Sequence, residues 1–209
     1  ALGKLEIALK LFSKNVSKLE KDYDFSIRQK MLDNARDLKQ VANNYHNRAY
    51  SNPNLLISNL KDSMHKVAAT MQLEGGARLE GVALIKAEQL LGTKVDSITN
   101  KEVGIVLTKE KGGKEGEVLV SLDTYTDLES YILEYNKFKI NRQKYYNDLK
   151  QAAIASNETP EASHGLRWNF AKRRMFEYGK AGYSYEDCLQ QVSYEMKHNR
   201  ASITQHYLA

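Results

Sequence analysis

The apolar pattern changes period partway along the chain, and that change limits what the chain can fold into. Gly104-Ile105-Val106-Leu107-Thr108 and Glu117-Val118-Leu119-Val120 are short runs rich in branched residues, and Lys111-Gly112-Gly113-Lys114 lies between them. Branched side chains suit a pleated backbone, and a Gly-Gly pair supplies the positive-φ positions of a tight turn, so the segment reads as a β-hairpin. Elsewhere the spacing is helical. Leu5, Leu9, Phe12, Val16 and Leu19 share one helix face, as do Leu38, Val41, Ala42 and Tyr45. After a break at Asn52-Pro53-Asn54, a third stripe runs through Leu56, Leu60, Met64, Val67, Ala68 and Met71. Gly75-Gly76 ends that helix, and a further helical stretch is expected from near Arg78 to Leu91. Helical spacing returns from Thr124 to about Ala155, then over about Glu161–Tyr178, Ser184–Lys197 and from Ser202 onward. The expected class is mainly α with a small antiparallel β-sheet (α+β). Residues 1–45 read as an N-terminal helical segment and 46–209 as the main domain.

Composition narrows the function classes. Hydrophobic residues make up 42% of the 209, enough for a core and too many for wholesale disorder. The net charge of +5 and a pI near 9.0 suit a polyanionic partner, as they also suit many proteins without one. Cys188 is the only cysteine, which rules out an intrachain disulfide and a Cys-rich zinc site and fits a reducing, cytoplasmic setting. Ala1-Leu2-Gly3-Lys4 does not open a signal peptide, and no apolar run is long enough to span a bilayer. The chain starts without Met, as a fragment or a processed chain would.

The C-terminal quarter carries the chemistry. It contains His164-Gly165-Leu166-Arg167, then Lys197-His198-Asn199-Arg200, then Ile203-Thr204-Gln205-His206-Tyr207, with nine positions from His198 to Tyr207. Upstream stand Gly76-Ala77-Arg78-Leu79-Glu80 and Lys109-Glu110-Lys111-Gly112-Gly113-Lys114-Glu115. Together, in this order, these motifs resemble the tyrosine recombinase (phage integrase) family over roughly Ser51 to Leu208. The resemblance implies six catalytic residues: Arg78, Lys111, His164, Arg167, His198 and Tyr207, with Lys114 as the other lysine of the turn. It implies a catalytic domain over 46–209, and it leaves 1–45 as the tail of a DNA-clamping domain or as helices of the catalytic domain itself. It implies double-stranded DNA as partner, a homotetramer on paired DNA sites, no membrane, and neither metal nor cofactor.

The residue types fit that chemistry. A tyrosine hydroxyl attacks a phosphodiester and conserves the bond as a 3′-phosphotyrosine. In-line phosphoryl transfer gathers charge on the non-bridging oxygens, and two guanidiniums can clamp them at any working pH. A lysine on a turn can protonate the leaving 5′-oxygen, and two histidines can contact the phosphate or help to deprotonate a phenol whose free pKa is about 10.

Each residue also has an ordinary reading. With 13 tyrosines in the chain, one near the end is no signal by itself. Arg78 alone would be a helix-start arginine in an ion pair, and the two lysines a charged hairpin tip. Lys172-Arg173-Arg174 could contact phosphates or form a solvated basic face. Trp168 and Phe170 read as core, as does Cys188, while His46, His65 and His206 give no signal. Two departures from the family stand out. Gly81 occupies the position where the family commonly has an acid, three after the first arginine, and Lys197 replaces the glycine before the second histidine. The chain also ends two residues after Tyr207, where many family members continue. Strand exchange is the leading expectation. A non-catalytic DNA-binding module of the same fold and a type IB topoisomerase-like relaxing enzyme are the alternatives.

Overall fold

A computed structural model describes residues 47–110, 112–198 and 200–208. The two N-terminal stripes, the helical segment 1–45 and Lys111 therefore lie outside the described residues. The chain from His46 onward is a compact unit.

The third stripe forms two helices, not one. Helix α1 (Pro53–Ser58) starts behind Asn52, whose side chain accepts from the Leu55 amide, and α2 (Ser63–Gly75) starts behind Asp62, which accepts from the Met64 amide. Leu56 and Leu60 on one side of the break and Met71 on the other all bury in the same core, so the apolar phase survives a chain break that periodicity alone cannot show. Gly76 closes α2 at φ +65, the left-handed conformation that favours glycine.

The expected helix from Arg78 to Leu91 does not form. A four-residue helix α3 (Leu79–Val82) is followed by β1 (Leu84–Ile85), a single 3₁₀ turn, and β2 (Leu90–Val95). The hairpin forms as expected but longer, with β3 (Glu102–Glu110) and β4 (Lys114–Val120), in register from Gly104↔Val120 to Glu110↔Lys114. Strand β2 pairs with β3, which gives a three-stranded antiparallel sheet in the order β2-β3-β4. The long helical stretch from Thr124 divides into α4 (Leu122–Tyr135) and α5 (Arg142–Ala155), separated by β5 (Phe138–Lys139), which pairs with β1. Ser121 caps α4, and Glu74 of α2 accepts from the Ser121 amide and hydroxyl and from the Thr124 hydroxyl, tying the two helices together.

Three helices complete the unit: α6 (Ala162–Lys180), α7 (Tyr185–Glu195) and α8 (Ala201–His206). Helix α6 joins two buried clusters. Leu166 belongs to the larger one, with Leu56, Met71, Val106, Leu128, Phe138 and Leu149. Trp168, Phe170 and Ala171 belong to the smaller one, with Cys188, Val192, Met196 and Tyr207. Cys188, Trp168 and Phe170 are thus core, as their spacing implied. Arg167 stands between the two clusters on the same helix. No described helix is long and apolar enough to cross a membrane.

The basic run Lys172-Arg173-Arg174 is not a uniform face. Arg174 is buried and pairs with Asp96, Glu177 and Glu195 at 2.8–3.0 Å, so it is not free to meet phosphate. Burial works against the Asp96 carboxylate, but hydrogen bonds from Arg174, Thr99 and the Ile98 amide outweigh it and hold Asp96 at about 2.

Candidate active site

Five of the six expected residues are described, and they converge. Arg78 is the residue before α3, placed there by the left-handed turn at Gly76. Its Nη2 donates to His198 Nε2 at 3.2 Å. Arg167 reaches the same ring nitrogen from α6, with Nη2 at 3.5 Å. Guanidinium groups only donate, so Nε2, the nitrogen nearest to both, serves as their acceptor. Two arginines from separate elements thus aim at one acceptor position, as a clamp on a phosphate oxygen must.

Tyr207 caps α8 and packs against Trp168, with ring centroids 5.5 Å apart, and against His164 at 5.5 Å. Its Oη lies 3.4 Å from His164 Nε2, a long contact that an unprotonated Nε2 can receive from the phenol. The His198 ring centroid is 6.2 Å from that of Tyr207. His206, read as uninformative, stacks edge-on to Trp168 at 5.3 Å and so helps to seat the helix that carries the tyrosine.

Arg78, His164 and His198 are half-buried, while the other two members are buried. Arg167 is 1% exposed and Tyr207 4% exposed. Arg167 Nη1 donates to the Gly76 carbonyl at 2.5 Å and Nη2 to the Met196 carbonyl at 3.4 Å, so this side chain also ties α2 to the end of α7. Its Nε has no partner among the described residues. Burial lowers the Arg167 pKa, while Tyr207 and Glu110 favour its charge.

Sequence reasoning missed two members. Glu110, the last residue of β3, has a wholly buried side chain that accepts from Arg78 Nη1 at 2.6 Å, from the Arg78 amide at 3.0 Å and from Lys197 Nζ at 3.2 Å. Burial pushes its carboxyl up, but the Lys197 charge, the Arg78 amide and the Arg167 charge prevail and hold it below the ordinary value. Lys197 sits at φ +59, which accounts for a position where glycine is expected; its buried ammonium is pulled down by desolvation, only partly offset by Glu110. Lys114 is also at the site, its Nζ donating to the Lys197 carbonyl at 2.9 Å, so the hairpin tip reaches the cluster.

Burial first, then the neighbouring Arg167 and Arg78 charges, push His164 down to about 4; burial, Arg78 and Arg167 do the same to His198. Both rings are neutral near pH 7. The unfolded chain binds these two protons near pH 6.5 and the folded chain only near 4, so protonation favours unfolding inside that window. Thermal stability should therefore fall as pH drops from about 6.5 to 4 and stay level just above 6.5. The depressed carboxylates add losses of the same sign only at lower pH. Melting curves at half-unit steps check this, and His198→Asn should flatten the slope; an unchanged slope in that variant would show that His198 titrates normally.

A cleft lined among others by Glu74, Asp96, Glu117, Arg173 and Glu195 lies apart, and none of the converging residues contributes to it.

No protein-family model matches the sequence, and no curated protein matches it. Solved structures do. The XerH site-specific recombinase, in a post-cleavage complex with a palindromic difH substrate, superposes with a TM-score of 0.54 at 14% identity, covering 74% of this chain and 46% of that one. Lambda integrase (75–356), as a dimer on a COC′ core site, superposes with a TM-score of 0.55 at 14% identity, covering 83% of this chain and 63% of that one. The chain thus spans about half to just under two thirds of those proteins. Both are tyrosine recombinases, and the likeness shows that this chain has the α+β fold of their catalytic domains.

Proposed function

We propose that this chain cuts and rejoins double-stranded DNA through a 3′-phosphotyrosyl intermediate, with Tyr207 as nucleophile. The observation that carries the reading is the convergence of Arg78 and Arg167 on one acceptor position, beside a tyrosine hydroxyl that contacts a neutral histidine. A fold shared with two DNA-bound recombinases supports it.

In this reading a backbone phosphate takes the place of His198 Nε2 as the shared acceptor, and the two guanidiniums stabilise the charge that grows on its oxygens. His164 receives the Tyr207 proton. A ring held down to about 4 is a weak base, so the phosphate's own charge must raise it as DNA docks. His198 then hydrogen-bonds the phosphate. The enzyme acts as a homotetramer on paired sites. Burial of Tyr207 favours one other reading, a DNA-binding module of the same fold that no longer cuts.

The test is incubation of the full chain with a pool of randomised nicked duplexes. A protein–DNA adduct that survives denaturant and maps to Tyr207 is the expected result. Tight binding to the pool with no adduct supports the non-cutting module instead.

The leaving 5′-oxygen needs a proton, and Lys111 is the proposed donor, one residue past Glu110 at the end of β3. Lys111→Ala should slow adduct formation by roughly 10²- to 10⁴-fold, as loss of a general acid does. A 5′-bridging sulfur leaves without a proton and should restore the rate. Rescue of Lys114→Ala in place of Lys111→Ala would move the role to Lys114, whose ammonium already reaches the site.

A further inference from the structure

Resting on that reading, we propose that Glu110 is the positioning residue of the site: its carboxylate fixes the Arg78 guanidinium and gathers the site's cations, and Gly81 leaves it the room.

The carboxylate binds both ends of Arg78. Oε1 accepts from the backbone amide at 3.0 Å and Oε2 from Nη1 at 2.6 Å. Clamped at its amide and at its tip, the side chain has little freedom left, and Nη2 is directed to His198 at 3.2 Å. Oε1 also takes Lys197 Nζ at 3.2 Å, and Arg167 Nη1 lies 4.0 Å from Oε2. Three cations from three parts of the chain therefore surround one anion that is wholly buried. Without that anion they would repel one another in a medium that screens poorly, and the two guanidiniums could not stay aimed at a common point before a phosphate arrives.

Gly81 supplies the independent observation. Its backbone is ordinary helix, not left-handed, so conformation does not demand glycine there. Space does. A Cβ on Gly81 would lie 3.1 Å from Glu110 Cγ, 3.1 Å from Thr108 Cβ and 3.4 Å from Glu110 Oε1. A side chain at 81 would start where the Glu110 carboxylate ends, so an acid on α3 and an acid at the end of β3 are alternative ways to fill one spot.

The experiment measures adduct formation and binding with the randomised nicked duplexes. Glu110→Gln keeps the shape and removes the charge; adduct formation should slow roughly 10- to 100-fold, since a misplacement of about 1 Å at a reacting group can cost on the order of 10²-fold, while DNA affinity holds or rises. Glu110→Ala should be slow as well, and Gly81→Asp in that background should recover at least tenfold by returning a carboxylate to the same place. A wild-type rate in Glu110→Gln, or parallel losses of binding and rate with no recovery by Gly81→Asp, would overturn the proposal. If the unaltered chain makes no adduct, the DNA-cutting reading fails, and a second measurement judges Glu110 alone. In chain labelled with ¹⁵N-arginine, rotation of the Arg78 guanidinium should be hindered in the wild type and freed by Glu110→Gln. Equal hindrance in both would sink the positioning role whatever the enzyme does.

Discussion

Tyr207→Phe should abolish the protein–DNA adduct and leave DNA binding intact. The substitution removes one oxygen, which lies 3.4 Å from His164 Nε2 and also interacts with the Arg167 guanidinium. The ring stays packed against Trp168 and His206, so the fold should hold, with stability changed by no more than about 1 kcal/mol. The chemistry has no such reserve: loss of a nucleophile removes the covalent route, and a fall of at least about 10⁴-fold is expected. Denaturing gels followed by peptide mapping decide the matter. Tyr185 and Tyr194 are both more than half exposed, and an adduct on either would reassign the nucleophile.

The second large effect is expected at Arg167, and it combines two losses. Arg167→Ala removes one of the two converging guanidiniums, which alone should cost a few kcal/mol of transition-state stabilisation. It also leaves the Gly76 and Met196 carbonyls without these donors and opens a hole between the two core clusters. Against this, removing a buried cation relieves repulsion with Arg78 and Lys197. Orphaned polar groups and a cavity together outweigh that relief, and a net loss of roughly 2–4 kcal/mol of folding stability is expected. Urea titration measures it. A midpoint equal to the wild type would show that the guanidinium serves substrate alone. Arg78 is different, since it stands at the rim of the cluster with its side chain 21% exposed.

How far the sequence foretold this can be followed residue by residue. The hairpin was readable because branched residues flank a Gly-Gly turn, and α6 and α7 because their apolar spacing is regular. Strand β2 was not: Leu90–Val95 includes Gly92, Thr93 and Lys94, is largely exposed, and gains its identity only by pairing with β3. Arg78, His164, Arg167, His198 and Tyr207 were singled out as candidates by their order along the chain, and the fold brings them together. Glu110 escaped because Lys109-Glu110-Lys111 looks like a solvated turn. Yet Gly104, Val106, Thr108 and Glu110 alternate on one face of β3, and carrying that alternation two residues beyond Thr108 would have placed the acid inward. Arg174 escaped for a related reason: it lies three residues after Ala171 and four before Tyr178, on a buried stripe that its basic neighbours obscure.

Helix α8 is six residues long, far too short to persist without the packing of its neighbours. It ends on Tyr207, which is 4% exposed and packed against Trp168 and His164. On the proposed reading, a phosphodiester would have to displace part of that packing to meet the hydroxyl, so the ease with which α8 loosens would bear on cutting. The free energy of that small opening, set by a few aromatic contacts, would then govern how often a bound duplex is nicked.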